Sequence, residues 1–170
     1  MVGTVEPRKG HEEVLDAFNE IWSEYGEEVN LVIVGKKGWM MDQFFERIQS
    51  HPLYDKNLLW LEGISDEYLE RLYSASDFLI AASFGEGFGL PLVEAARRGL
   101  PIIARDIEVF REVAPPNTIF FKGIMPESLV QSMKDVLEGG TRNSIDDYRA
   151  QKWRDSVMQI YDNLGLQFRD

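Results

Sequence analysis

Two glutamates separated by seven residues frame the segment of this chain that could do chemistry. Glu86 stands in a glycine-rich turn, and Glu94 follows about one turn into the helix predicted after it. The apolar run at 76–82 is typical of a buried strand and Pro91 suits the start of a helix, so the pattern predicts strand, turn, helix. The free N–H groups and the dipole of such a helix start attract an anion. A carboxylate would then lie on either side of the anion, where it could hold hydroxyl groups.

Two adjacent cations, Arg8 and Lys9, lie in the predicted turn 6–10. A diphosphate carries more negative charge than a helix start and its amides compensate. Arg8 can grip two oxygens with its planar guanidinium, and Lys9 can act as a point charge. Taken alone, both could be solvated surface charges. Beside the glycine turn, they predict a diphosphate site.

Strands and helices alternate along the whole chain, which predicts an α/β fold. We expect a Rossmann-like, doubly wound parallel sheet of about six strands with helices on both faces. The turns that follow the strands then lie at the carboxyl edge of the sheet, where such folds bind ligands. Residues 1–140 are predicted to form this domain, and 141–170 a linker and closing helix. The predicted strands are 1–5, 29–35, 58–63, 76–82, 100–104 and 118–121.

Composition narrows the class of ligand. The net charge of −11 argues against nucleic acid or an anionic membrane surface as a general partner. The chain has no cysteine, which excludes disulfides and thiolate metal sites. His11 and His51 lack ligand spacing and are expected at the surface or as capping residues, so no metal is expected. The chain opens inside a structured motif, and we therefore expect it to be part of a longer protein.

A dinucleotide site is the main alternative from the glycines alone. Gly85, Gly87 and Gly89 follow a strand and open a helix, and Asp106 could hold a ribose after the next strand. However, the third glycine comes too early for that fingerprint. Glu86 would also face a pyrophosphate at close range.

Four segments resemble the C-terminal, donor-binding half of the GT-B fold in the retaining glycosyltransferases of family 4, the glycosyl transferases group 1. The segment 2–10 resembles the opening strand and phosphate loop, and 31–39 resembles the second strand and its turn. The segment 62–69 is similar to the part whose backbone meets the base, and 86–95 matches the motif of two spaced glutamates. The likeness covers nearly the whole chain. It looks closest to bacterial mannosyltransferases and related enzymes that build surface polysaccharides.

The resemblance implies a role for each matching position. Arg8 and Lys9 would neutralise the leaving diphosphate, and Glu86 would hold hydroxyls of the donor sugar near the reacting carbon. Glu94 would accept hydrogen bonds from the ribose. Many members carry arginine directly after the first glycine, where this chain has Thr4, and we expect Arg8 to take over that role. The remaining expected donor contacts, partly through backbone atoms, are Thr4, Gly35, Lys36, Ile64, Gly87, Phe88, Gly89 and Leu90.

The resemblance also implies a reaction and partners. A nucleotide-sugar such as a GDP- or UDP-sugar would be the donor, transfer would retain configuration, and no metal or other cofactor would be needed. The acceptor would bind a missing N-terminal domain, and contact with a membrane would come only through that domain or a lipid-linked acceptor. The expected location is the cytoplasm, peripheral at the inner face of the membrane in the full-length protein. The alternatives left open are a sugar-nucleotide epimerase or phosphorylase of the same fold, and a catalytically idle nucleotide-binding module.

Overall fold

The computed structural model describes residues 1–139, and within them strands and helices alternate as an α/β fold. Every strand pair is parallel, in two sheets ordered β1–β2 and β3–β4–β5. The predicted closing helix at 141–170 lies outside the described residues. The strands are β1 (Leu31–Val34), β2 (Leu58–Leu61), β3 (Leu79–Ala81), β4 (Ile102–Arg105) and β5 (Ile119–Phe121).

Within residues 1–139, six α-helices connect and flank these strands. The helix α4 begins one residue before Pro91, where the sequence predicts a helix start, and ends at Ala96, three residues before Gly99. Ser65 caps α3, because its hydroxyl accepts a hydrogen bond from the N–H of Tyr68 at 3.2 Å. The helices are α1 (His11–Tyr25), α2 (Asp42–Gln49), α3 (Asp66–Ala75), α4 (Leu90–Ala96), α5 (Glu108–Val113) and α6 (Pro126–Gly139).

The predicted first strand at 1–5 is only partly formed. It runs parallel to β1 through two isolated bridges, Val2 with Val34 and Val5 with Lys37. Gly3 has φ +133°, outside the extended range, and this interrupts a continuous ladder. The described residues therefore contain five regular strands rather than about six.

The core lies between the strands and the helices that cover them. All four residues of β4 are buried, as expected for a central parallel strand with both faces covered. The helices α1 and α6 pack on each other, and Phe18 of α1 is wholly buried in the same cluster as Met133 of α6. Trp22 and Trp60 pack half-buried against this core. This core holds the strands in place, and with them the turns that follow each strand.

Two of these turns meet directly. The N–H of Phe84, after β3, donates to the carbonyl of Arg8 at 2.8 Å. A Cβ on Gly10 would lie 2.4 Å from the carbonyl oxygen of Ala82, so only glycine allows this close approach. The cation turn and the glycine turn are therefore joined through their backbones.

Candidate functional site

A compact ionic cluster forms where the two turns meet. The Nζ of Lys9 donates to Oε1 of Glu86 at 2.5 Å, and Nη1 of Arg8 donates to Oε2 at 3.0 Å. The same Arg8 nitrogen donates to the carbonyl of Gly85 at 2.9 Å. The side chains of Lys9 and Glu86 are only 12% and 11% exposed, whereas Arg8 is 46% exposed. Three residues that the sequence analysis placed at the catalytic centre are thus brought together.

Neighbouring side chains hold this cluster in shape. The hydroxyl of Ser83 donates to Oε1 of Glu86 at 2.7 Å. Glu6 accepts from Arg8 at 2.7 Å through one oxygen and from the indole N–H of Trp39 at 2.9 Å through the other. The sequence analysis assigned no role to the side chains of Ser83 and Glu6, because a single serine or glutamate in a turn does not by itself indicate a contact with a distant residue.

The electrostatics of Glu86 follow from these contacts. Burial by itself would raise the pKa of Glu86, but hydrogen bonds from Lys9, Ser83 and Arg8 outweigh burial and hold the pKa below its ordinary value. Glu86 is therefore ionised at neutral pH. Because Glu6 also pairs with Arg8, the cluster holds two cations and two carboxylates, and an anionic ligand would have to share the cations with these carboxylates.

The second glutamate of the motif has different surroundings. Oε2 of Glu94 accepts a hydrogen bond from the hydroxyl of Tyr73 at 2.8 Å. Arg98 donates to the backbone carbonyl of Glu94 at 2.5 Å, while its guanidinium also pairs with Glu70. Burial and the charge of Glu94 both raise the pKa of Tyr73, so the phenol stays protonated and donates. Glu94 lines an open recess of about 570 Å³ with Tyr73 and Arg98, and Glu86 does not line it.

The glycine turn leads into α4. Gly89 has φ +91°, and a Cβ there would lie 3.0 Å from the ring of Phe110, so glycine is required at this position. Gly87 is exposed with open space around it, so the fold does not require its lack of a side chain. Phe88 and Leu90 are 43% and 58% exposed beside it. The turn therefore presents its backbone and two apolar side chains at the surface.

The remaining predicted donor residues lie on the neighbouring turns. A Cβ on Gly35 would lie 1.9 Å from the carbonyl oxygen of Gly3, so the turn after β1 touches the irregular segment at 1–5. Lys36 is exposed, and its carbonyl accepts from the N–H of Val5 at 2.9 Å. Thr4 is exposed and Ile64 is half-buried.

One expectation about a single residue differs from the structure, and the acid of the dinucleotide alternative is already paired. His11 is buried, not at the surface, and burial lowers its pKa to about 3, so it is neutral. It begins α1 directly after Gly10, where the tight approach to Ala82 draws the helix start into the core. Asp106, the ribose residue of the dinucleotide alternative, is engaged by Arg111, whose Nη2 lies 2.8 Å from Oδ2.

Within residues 1–139, no group of three or more His, Asp or Glu side chains is placed to hold a metal ion. Over the same residues, no helix is long and apolar enough to cross a lipid bilayer.

Comparison with known proteins identifies the family. The family model described as glycosyl transferases group 1 matches residues 1–153. The chain belongs to this family. That result agrees with the two spaced glutamates and with the cation turn beside them.

Relatives and solved structures support the membership. The chain is 46% identical over 169 residues to the serotype-specific mannosyltransferase WbdA of Escherichia coli, covering 98% of this chain and 21% of WbdA. It thus spans about a fifth of that relative's length. The C-terminal domain of the group 1 glycosyl transferase LpcC from Francisella tularensis has a TM-score of 0.72 at 21% identity, covering 94% of this chain and 84% of that domain. HepE of Anabaena, in complex with UDP and glucose, has a TM-score of 0.72 at 19% identity, covering 96% of this chain and 47% of HepE. Both structural neighbours have the same α/β fold, which is one half of a GT-B arrangement.

Proposed function

We propose that this chain binds the nucleotide-diphospho-sugar donor of a retaining, metal-independent glycosyltransferase. The observation that carries the proposal is the cluster in which Arg8 and Lys9 meet Glu86 at the joined turns. Family membership, the name of WbdA and the UDP complex of HepE support the same reading.

The diphosphate is assigned to the cation turn and to the start of α4. Arg8 is exposed enough to reach a ligand, and Lys9 brings a second charge from a less exposed position. The amides of Phe88, Gly89 and Leu90 add donors for the phosphate and the sugar. As the diphosphate leaves, these groups stabilise the charge that develops on it, which is the main electrostatic task of such a transfer. In this scheme the two cations do the work that a metal does elsewhere.

The glutamates serve the two ends of the donor. Glu86 accepts hydrogen bonds from sugar hydroxyls while keeping its contacts to the cations. Glu94 accepts from the ribose, with Tyr73 fixing one of its oxygens. The base lies over the turns at Gly35–Lys36 and Ile64, and Thr4 lies beside the phosphates.

The biological context is drawn from the relatives. WbdA is named a serotype-specific mannosyltransferase, which favours a hexose such as mannose and a surface polysaccharide as the product. The acceptor binds a part of the protein outside this domain. We place the reaction in the cytoplasm, peripheral at the inner face of the membrane.

Calorimetric titration of the 170-residue chain with UDP, GDP and ADP tests the proposal. One diphosphate should bind in preference to the others, equally well with EDTA, and the matching nucleoside should bind at least about tenfold more weakly. Binding of the nucleoside as tightly as the diphosphate would contradict the role of the cations, and loss of binding in EDTA would contradict metal independence. Failure of all three diphosphates would contradict donor binding by this domain.

A further inference from the structure

A buried arginine lies directly behind the ionic cluster. Arg105 ends β4, and its side chain is only 5% exposed. Its guanidinium pairs with Glu13 of α1, itself 7% exposed, and donates to the carbonyl of Gly123 after β5. Its Nε donates to the carbonyl of Ala82 at 2.9 Å. One side chain thus joins α1 and the ends of three neighbouring strands.

The same guanidinium also fixes the glycine turn. Its central carbon lies 4.0 Å from the ring centre of Phe84 and 4.9 Å from that of Phe121. Ala82 and Phe84, which it holds, flank Ser83, whose hydroxyl donates to Glu86. Phe84 also donates its N–H to the carbonyl of Arg8. Arg105 therefore contacts the backbone of the residue before Ser83 and the aromatic ring of the residue after it, and Ser83 contacts Glu86.

Its partner Glu13 holds the other side of the cluster. Glu13 lies in the first turn of α1, four residues after Lys9. The ion pair thus connects α1, which directly follows the cation turn, to Arg105, which contacts the turn that carries Glu86. Among residues 1–139, no hydrogen-bond partner reaches the second oxygen of Glu13.

The energetics favour a role other than stability. Burying two charges costs free energy, which a pair recovers only when its geometry and remaining hydrogen bonds are good. Here one carboxylate oxygen is left unpaired, so an apolar pair of similar volume would stabilise the fold at least as well.

We propose that the Arg105–Glu13 ion pair is a positioning device that holds the cation turn and the Glu86 turn in register. It does not touch the donor and acts through Ala82, Phe84 and the start of α1. This inference rests on the proposed function only for its effect on ligand binding. Its effect on Glu86 can be measured without any ligand.

The test measures the pKa of Glu86 by carbon-detected NMR titration of the 170-residue chain. Arg105→Met and Glu13→Gln should each loosen the contact of Glu86 with Lys9, and both should raise the pKa of Glu86 by about half a pH unit or more. The two substitutions remove opposite charges. If the substitutions acted on Glu86 only through the loss of their own charge, Arg105→Met would raise the pKa of Glu86 and Glu13→Gln would lower it.

The control is Asp16→Asn, which breaks a half-exposed pair with Arg47 one turn further along α1. It should leave the pKa of Glu86 unchanged. If Arg105→Met does not fold, Glu13→Gln and Arg105→Lys carry the test, with Arg105→Lys recovering part of the effect because it keeps the charge. A pKa that stays unchanged or falls in Glu13→Gln would overturn the proposal.

Nucleoside diphosphate titration adds the link to function. Because both substitutions let the cation turn shift away from the glycine turn and the start of α4, Arg105→Met and Glu13→Gln should weaken diphosphate binding by about tenfold, and this loss of register should outweigh any gain from loosening Glu86. They should leave the affinity for the matching nucleoside unchanged. Equal loss for both ligands would indicate general damage to the fold and overturn positioning. A wild-type chain that binds no diphosphate, while the pKa of Glu86 responds as expected, would overturn the proposed function and support the positioning role.

Discussion

The two glutamates of the site have opposite surroundings, although only seven residues separate them. Glu86 is nearly enclosed by charge, with Lys9 and Arg8 on its two oxygens. Glu94 accepts a hydrogen bond from the neutral phenol of Tyr73 and lines an open recess. The first carboxylate is therefore part of the charge balance of the region to which we assign the phosphates. The second is free to act as a hydrogen-bond acceptor.

This difference separates two kinds of contribution to binding. Around Glu86, any bound diphosphate must share the cations with a carboxylate that already occupies them, so the effects of substitutions there should depend on one another. Around Glu94, a ribose would add hydrogen bonds to an acceptor with one fixed partner, so the effects there should be smaller and independent of those at Glu86.

The largest effect is expected at Lys9. Lys9→Ala removes a poorly exposed charge. Removing one member of a poorly exposed charge pair, here Lys9 and a bound diphosphate, costs about 2–5 kcal/mol of binding free energy. Nucleoside diphosphate affinity should fall by about 100-fold, measured by calorimetry. Lys56→Ala is the matched control, because Lys56 is exposed at the amino end of β2. Equal losses in both variants would show that overall charge, not this site, binds the ligand.

Glu94→Gln should have the next largest effect. It keeps the shape of the side chain and removes the charge that receives the ribose hydroxyls, so affinity should fall by about tenfold. The affinity for the matching deoxyribonucleoside diphosphate, which lacks a ribose hydroxyl, should fall by a smaller factor in Glu94→Gln. Glu112→Gln, at an exposed position of α5, serves as the control. An unchanged affinity in Glu94→Gln would show that the ribose does not bind this carboxylate.

Tyr73→Phe should give a smaller loss of nucleoside diphosphate affinity, because it also acts through Glu94. It deletes the hydroxyl that orients Glu94, a hydrogen bond worth about 1 kcal/mol, so affinity should fall by about fivefold. Tyr68→Phe lies on the same helix with a side chain 45% exposed and should have no effect. The two effects at Glu94 and Tyr73 should not be additive in the double variant. Full additivity would contradict action through Glu94.

Glu86→Gln should produce the smallest change, and in the opposite direction. Removing a carboxylate that competes for Arg8 and Lys9 should tighten a nucleoside diphosphate by about threefold. The same change should weaken a diphospho-sugar, because the sugar loses its acceptor. Calorimetry with both ligands checks this reversal. Weakening of both by the same factor would make Glu86 a part of the diphosphate site only.

Much of this architecture could be predicted from sequence because the signals are local. Pro91 and Gly99 bound the α4 segment, and Ser65 marks the start of α3, each through backbone constraints that act within a few residues. The apolar runs of the strands predicted parallel sheets in the same way. Family membership, indicated by the motif at 86–95, is confirmed by the matched family model.

The rest depends on tertiary contacts that no local pattern encodes. The strand predicted at 1–5 stays irregular because Gly3 adopts a positive φ. His11 looked like a surface residue, and only the approach of Gly10 to Ala82 explains its burial. Arg105 stands in a strand where nothing marks it, since its partner Glu13 lies 92 positions away.

The most direct test of the account is the nucleoside diphosphate affinity of the double variant Lys9→Ala/Glu86→Gln, measured beside both single variants. If Glu86 and the diphosphate share the same cation, Glu86→Gln should tighten binding by about threefold when Lys9 is present and have almost no effect when it is absent. An effect of the same size in both backgrounds would mean that Glu86 acts on the ligand independently of Lys9. The cluster would then not be the phosphate-binding centre that we describe.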